Sequence, residues 1–458
     1  MNRSKDLATT LHLSAGAQYI KHKTATSIVP IKHRSTHVLR CNNTVKNSPV
    51  TRILCFSTLY PNSEQPNHGI FVENRLRHTL ALGDLQATVL APVPYFPFQS
   101  RKWGRYSAFA RIPKLEQRQG VVVHHPRFPV VPKIGSLLTP LLLFLAARRS
   151  LRKLLSQGFA FDLIDAHYFY PDGVAAALLA RAFNKPFVVT ARGSDLTQHA
   201  KNPFERSQIL WAARSATALV TVSQSLKTEL GNLGIGADKI AVLRNGVETD
   251  LFRPLVREKL RSDFGITRHA LLSVGALIPR KGHEIAIEAL SHLPDCELLI
   301  AGSGPLREKL QNCATQFGVA SRVRFLGQIA HRDLPNFYNA ADAFVLMSSR
   351  EGWANVILES LACGTPVIAT DVGGSGEIIR SPVAGRLLSE RSPQALAREI
   401  QSLRANPPER VATRKYAEAF GWGPVAATNH ALFKALADTR TPISNVARQF
   451  SVAGPDSA

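Results

Sequence analysis

Acidic residues are scarce in this 458-residue chain: 33 Asp and Glu stand against 56 Lys and Arg, a formal charge of +23. Cysteine is scarcer. The five present (Cys41, Cys55, Cys296, Cys313, Cys363) are odd in number and scattered, with no Cys-x-x-Cys. This usage excludes the disulfide frameworks of small secreted domains and fits a reducing compartment, with thiols as small core residues. No apolar run reaches the ~18 residues of a spanning helix. The nearest, Ile134 to Ala147, is broken by Pro140 and followed by Arg148, Arg149, Arg152 and Lys153. It reads as a core helix, or as one lying in a membrane interface with basic anchors beside it.

Several chemistries lack their motifs. There is no Asp-x-Asp, and no His/Cys set has zinc spacing; His124 and His125 are adjacent, so on a strand they point to opposite faces. Neither a Gly-x-x-x-x-Gly-Lys-Ser/Thr loop nor a Gly-x-Ser-x-Gly elbow occurs, so metal and acyl-serine catalysis lack support. The basic excess comes without a helix-turn-helix, zinc knuckle or aromatic-basic reader, so no nucleic acid is expected as partner. A phosphate-bearing substrate or an anionic leaflet fits the charge better. That charge is uneven: residues 1–52 hold +8 of it, leaving +15 for the rest. Leu11 to Gln18 is too weakly apolar for a secretory signal, and residues 1–51 read as a disordered basic leader.

What is present is alternation. From Arg52 onward, apolar β-rich runs (Ala87–Ala91, Val121–His125, Asp162–Ala166, Phe187–Thr190, Ala218–Val222, Ile240–Leu243) alternate with helical stretches such as Gly173–Phe183 and Pro203–Ser215. The pattern pauses at the Asn245-Gly246 turn signal. It resumes with Leu271–Gly275, Glu297–Ala301, Arg324–Leu326, Ala343–Met347 and Val367–Thr370. Strands alternating with helices predict an α/β protein of two doubly wound domains with a cleft between them. Ligands of such sheets bind at strand carboxyl ends, so the residues there are the candidates.

Arg280-Lys281-Gly282 follows the first strand of the second domain and precedes a helix, whose amino end would favour a phosphate. Gly302-Ser303-Gly304-Pro305 follows the next strand. Arg324-Phe325-Leu326-Gly327 ends the third, where Gly327 would open space for a flat base. Glu351 follows the fourth, and Glu359 lies eight residues on, near the same side if the stretch between is helical. Gly373 and Glu377 follow the fifth. In the first domain His167 comes directly after a strand, Thr190-Ala191-Arg192-Gly193-Ser194-Asp195 ends another, and Gly69 opens a helix where a backbone could approach a ligand.

These motifs have a known counterpart. From about Arg52 to Leu436 the chain resembles the retaining, nucleotide-sugar-dependent glycosyltransferases of family four (group 1), in particular the cell-surface polysaccharide type. The resemblance rests on Arg280-Lys281-Gly282, Gly302 to Pro305, Glu351 to Glu359, and Ala362-Cys363-Gly364-Thr365-Pro366, in family order. It implies a GT-B fold. Residues 52–246 would be a Rossmann-like acceptor domain and 247–423 a Rossmann-like nucleotide-sugar donor domain. Residues 424–437 would form a helix crossing back to the first domain, and 438–458 a loose tail. It also implies roles. Glu351 would contact donor-sugar hydroxyls, Glu359 the ribose, Arg280 and Lys281 the diphosphate. Gly304 and Gly373 would lie near the donor, Gly69 near the diphosphate, and the backbone of Phe325 to Gly327 at the base. His167 would face the sugar or acceptor. Where the family often has arginine this chain has Ala276, and Arg280 is expected to supply the charge.

The expected reaction is transfer of a sugar from a UDP- or GDP-sugar to an acceptor hydroxyl, lipid-linked or on a polysaccharide, with anomeric retention and without metal or cofactor. The expected setting is cytoplasmic, with peripheral contact at the inner membrane. A GT-B sugar-nucleotide epimerase and a non-catalytic basic binding protein are the rival readings.

Overall fold

The computed structural model describes residues 50–438 except 101, 103–104 and 131–134. The leader and tail expected over 1–51 and 438–458 lie outside it, apart from Val50, Thr51 and Asp438.

The first domain contains β1 (Thr51–Phe56), β2 (Leu85–Leu90), β3 (Val93–Pro94), β4 (Leu115–Arg118), β5 (Val121–His124), β6 (Arg127–Phe128), β7 (Leu163–His167), β8 (Phe187–Ala191), β9 (Ala218–Thr221) and β10 (Ile240–Val242). Eight of these form a sheet in the order β10-β9-β8-β7-β1-β2-β5-β4, parallel except for β4 against β5. Every residue of β7, β8 and β9 is buried, as expected of parallel strands covered by helices on both faces.

The second domain contains β11 (His269–Val274), β12 (Cys296–Ala301), β13 (Val323–Gly327), β14 (Ala343–Leu346), β15 (Val367–Thr370) and β16 (Gly385–Leu388). Their order, β13-β12-β11-β14-β15-β16, is wholly parallel and reverses direction beside β11, where a doubly wound sheet opens a crevice. Four strands were not legible in the sequence: the two-residue β3 and β6, which pair only with each other, and β4 and β16. β16 is Gly-Arg-Leu-Leu, with no alternation of its own, and pairs because β15 offers an edge. β4 is a half-exposed edge strand held by a hairpin to β5.

The chain crosses between the domains twice, at adjacent points. Val247 N–H donates to Phe420 O (3.0 Å), and Val247 bridges Gly421. The final helix, Trp422–Ala437, then packs on helix Ile70–Leu80 of the first domain. Its Asn429 Nδ2 donates to Thr79 Oγ1 (3.1 Å), and Leu432, Phe433 and Leu436 join Ile53, Leu163 and Val188 in one core. The run with Pro140 is not broken there: a helix spans Gly135–Ser156 with Pro140 buried inside it. At the sixth position, just past the four free N–H groups of the first turn, the proline costs one intrahelical bond, which the packing of its buried ring on the core offsets. Among the described residues, no helix is long and apolar enough to cross a membrane.

Candidate active site

Two cavities lie along the cleft. The first, of about 410 Å³, is walled by loops after β11, β12 and β13 (Gly275, Gly302, Gln328) and by His331, Asn355 and Glu359, with Asn67 and Ile70 opposite. The second, of about 230 Å³, is walled by Tyr168, Arg192 and Gly193 on one side and Arg280, Arg350 and Glu351 on the other. A third, narrow pocket between helix Ile70–Leu80 and the crossover is walled by Ile70, Phe71, Gly246, Glu248, Asn355 and Glu359; the amino end of that helix borders the first cavity through Ile70 and the second through Phe71. A larger cavity, of about 580 Å³, lies at the amino ends of the first sheet's strands, around Arg52, Gln86 and Gly120, away from this chemistry.

Lys281 ties the two together. Its stem runs beside Gly275, which lines the first cavity. Its Nζ donates to Glu351 Oε1 (2.7 Å), which lines the second. Arg280 Nη1 lies 3.2 Å from the other carboxylate oxygen and donates to Arg350 O (3.0 Å). Burial alone would raise the Glu351 pKa; Lys281 and Arg280 outweigh it, so the carboxyl sits below its ordinary range and is ionised. At the other end Glu359 accepts from Tyr338 Oη (3.1 Å) and meets His331 Nε2 at 3.0 Å. Burial pulls the His331 pKa down, but Glu359 overrides it and the imidazole rises above its usual value. A cationic middle with a carboxylate at each end suits a ligand with an anionic centre and hydroxyl-bearing ends.

Residues 256–420 match the family model "Glycosyl transferases group 1", and residues 78–251 match "Glycosyltransferase Family 4". TuaC of Bacillus subtilis (strain 168), a glycosyltransferase ascribed to teichuronic acid biosynthesis, is 31% identical over 358 residues, covering 76% of this chain and 88% of that protein. The chain belongs to the group 1 glycosyltransferases. A D-inositol 3-phosphate glycosyltransferase of Catenulispora acidiphila is 29% identical over 57% of this chain and 69% of its own length. Among solved structures, sucrose-phosphate synthase from Thermosynechococcus elongatus superposes with a TM-score of 0.71 at 20% identity, covering 84% of this chain and 99% of that one. Anabaena HepE in complex with UDP does so at 0.59 and 20%, covering 87% and 98%. At such identity the likeness is one of fold, and that fold is GT-B.

Several expected site residues of this glycosyltransferase stand elsewhere than the sequence implied. Glu351 and Glu359 do not share a helix: the helix is Asn355–Ala362, Glu351 lies in the loop before it, and the two carboxylates line different cavities. His167 is the last residue of β7, 1% exposed, and lines neither cavity. Arg192 Nη2 donates to its Nδ1 (2.7 Å), its Nε2 lies 3.1 Å from Asp165, and burial pushes its pKa down to about 4. It is a neutral support behind Arg192 rather than a wall of the cleft.

The glycines also differ in their reasons. At Gly373, φ is +55° and a Cβ would lie 1.7 Å from Glu351 O; at Gly69, φ is +69° and a Cβ would lie 2.3 Å from Leu59 O. Both are required by neighbouring protein backbone, as is Gly304 against Leu277. Gly327 accepts from Gly302 N–H (2.7 Å), Phe325 stacks under Arg307, and the cavity wall begins one residue later, at Gln328. Gly282 caps helix His283–Ala289 but rests on Met347 O, so that helix end lines neither cavity.

His331, Arg192, Asn245 and Asn355 also belong to the site. His331 lies four residues after β13, where the strand-end rule would have found it. Arg192 lies in the Thr190–Asp195 stretch at the end of β8; it stacks over Phe71 (5.0 Å) and donates to Asn245 Oδ1 (2.9 Å). Asn245 Nδ2 donates to Asn355 Oδ1 (3.1 Å), linking the crossover to the first cavity, and nothing local in the sequence signals that contact. Cys55, Asp165 and His167 converge within 4.8 Å, but the Arg192 guanidinium already occupies that neighbourhood.

Proposed function

We propose that this enzyme transfers a sugar, with retention, from a nucleoside diphosphate to an acceptor hydroxyl in polysaccharide or glycolipid synthesis. The carrying observation is Lys281, placed between the two cavities and bound to Glu351 with Arg280 beside it. In this reading the nucleoside enters the first cavity, with Glu359 and His331 at the ribose. The diphosphate lies between the two cavities, by Lys281, Arg280 and the amino end of helix Ile70–Leu80. The sugar meets Glu351 in the second cavity, with the acceptor on the Tyr168–Arg192 side. As the glycosidic bond breaks, charge grows on the diphosphate, and fixed cations stabilise it most at the transition state. Metal independence is supported by the same set, since cations facing the phosphates do the work of a divalent ion and repel one. Glu351 binds hydroxyls rather than attacking carbon, because both its oxygens are already engaged by cations.

The donor base is proposed as uracil or guanine; the UDP and UDP-glucose complexes of HepE favour uracil. Catalysis is placed on the cytoplasmic side, consistent with the free thiols of Cys55, Cys296, Cys313 and Cys363. The acceptor is proposed to be lipid-linked or a growing polysaccharide, in line with the polymer named for TuaC. A panel of UDP- and GDP-sugars, incubated with membrane extract and followed by nucleotide release and NMR of the product anomer, tests this. Transfer with retention from one donor supports it. Donor turnover with no acceptor, or an inverted product, sinks it.

A further inference from the structure

Helix Gly135–Ser156 carries an outward face that no part of the cleft uses. Leu137, Leu138, Leu141 and Leu145 are 37–48% exposed, and Arg149, Arg152 and Lys153 are exposed beyond them. At 100° per residue these seven side chains fall within about 160° of arc. The buried Pro140, Leu143, Ala147 and Leu151 lie opposite. So the helix has one face in the core and a second, continuous face in water, apolar in its amino half and basic in its carboxyl half. It holds no acidic residue from end to end.

The orientation of this stripe follows from topology. The helix leads through Gln157 and Gly158 into β7, whose carboxyl end points to the cleft. It therefore runs antiparallel to β7. Being about 33 Å long, it extends its leucine half toward the cleft end. The same end carries more exposed apolar surface: Tyr95, bonded to Phe128 beside this helix, and the aromatic cluster of Phe96, Phe98 and Tyr106.

We infer that this face docks on an anionic lipid bilayer, with the leucines and aromatics in the interface and Arg149, Arg152 and Lys153 on lipid phosphates. The inference rests on the reading of a lipid-borne acceptor, which it deepens: docking in this orientation presents the mouth of the cleft to the lipid surface. A bilayer satisfies both halves of the stripe at once, apolar depth for one and phosphate for the other. A second copy of this chain offers the basic half only like charge.

Flotation of the full chain with vesicles of phosphatidylglycerol and phosphatidylcholine, against phosphatidylcholine alone, tests it. The wild type is expected to float with the anionic vesicles and to lose binding several-fold as salt rises. Leu141→Asp with Leu145→Asp, at exposed positions that leave the core intact, is expected to weaken vesicle binding about ten-fold or more. Arg149→Glu with Arg152→Glu is expected to abolish the preference for anionic lipid. UDP and GDP affinity, measured by calorimetry on the same proteins, should be unchanged by these substitutions. No nucleotide binding by any of them would fail the donor reading while leaving the lipid result to stand. Equal flotation of wild type and variants, no flotation at low salt, or a wild-type dimer that the aspartates split would overturn the docking proposal.

Discussion

Replacing Lys281 by Met keeps the stem beside Gly275 and removes only the charge. Lys281 and Glu351 are 12% and 9% exposed and 2.7 Å apart, so this is a buried pair. Stripping one partner from such a pair costs about 3–5 kcal/mol when the other is left alone. Here Arg280 remains 3.2 Å from the carboxylate, so a loss of about 2–3 kcal/mol in folding stability is expected. The catalytic loss should be larger in effect. A positioned group at a developing anion is worth about 10²–10³ in turnover, and the loss should fall mainly on kcat. The Glu351 pKa should also rise, since burial raises it and one of two opposing cations is gone; the acid limb of the rate profile then moves to higher pH. The assay is nucleotide release with a competent donor–acceptor pair, alongside urea denaturation. A double-mutant cycle with Glu351→Gln should return a coupling of about 1–3 kcal/mol. A folded Lys281→Met enzyme with near-normal turnover, or a coupling indistinguishable from zero, would refute the assignment.

Three further outcomes follow from the same geometry. His283 is 1% exposed and burial pushes its pKa down to about 4. The unfolded chain therefore binds its proton first, and as pH falls from 6.5 to 4 the wild type should lose about 3 kcal/mol relative to His283→Asn; parallel stability curves for the two would contradict this. Gly373→Ala places a methyl against Glu351 O in a positive-φ turn, costing about 3 kcal/mol or more, and should weaken donor binding; calorimetry and thermal melting check both. Glu377 joins the domains by accepting from Arg244 Nη2 (2.7 Å) and Ser225 N–H (3.0 Å), so Glu377→Gln should weaken the closed arrangement by about 1–3 kcal/mol. Small-angle scattering should then show a more open particle and kinetics a higher KM; unchanged scattering and KM would remove Glu377 from that role.

Much of this protein is local information, and the sequence carried it. Runs such as Leu271–Gly275 and Val367–Thr370 announce buried parallel strands because period, β-branching and flanking turn residues are properties of a few neighbours. Where those strands end also follows, and with it the neighbourhood of Arg280, Lys281, Glu351 and Glu359. Tertiary structure alone decided which groups meet. Lys281 finds Glu351 across 70 residues, Arg192 covers His167 across 25, and Glu351 and Glu359 part into separate cavities because Glu351 lies in the loop before the helix that carries Glu359. Gly69 and Gly373 mark positions of close approach, but only the folded chain reveals that the backbone of Leu59 and Glu351 presses on them. The helix through Pro140 is a similar case. Its composition declares an amphipathic element, while which face turns outward depends on the sheet it packs against. Contacts between distant segments are fixed by packing of whole layers, and no window of adjacent residues contains that choice.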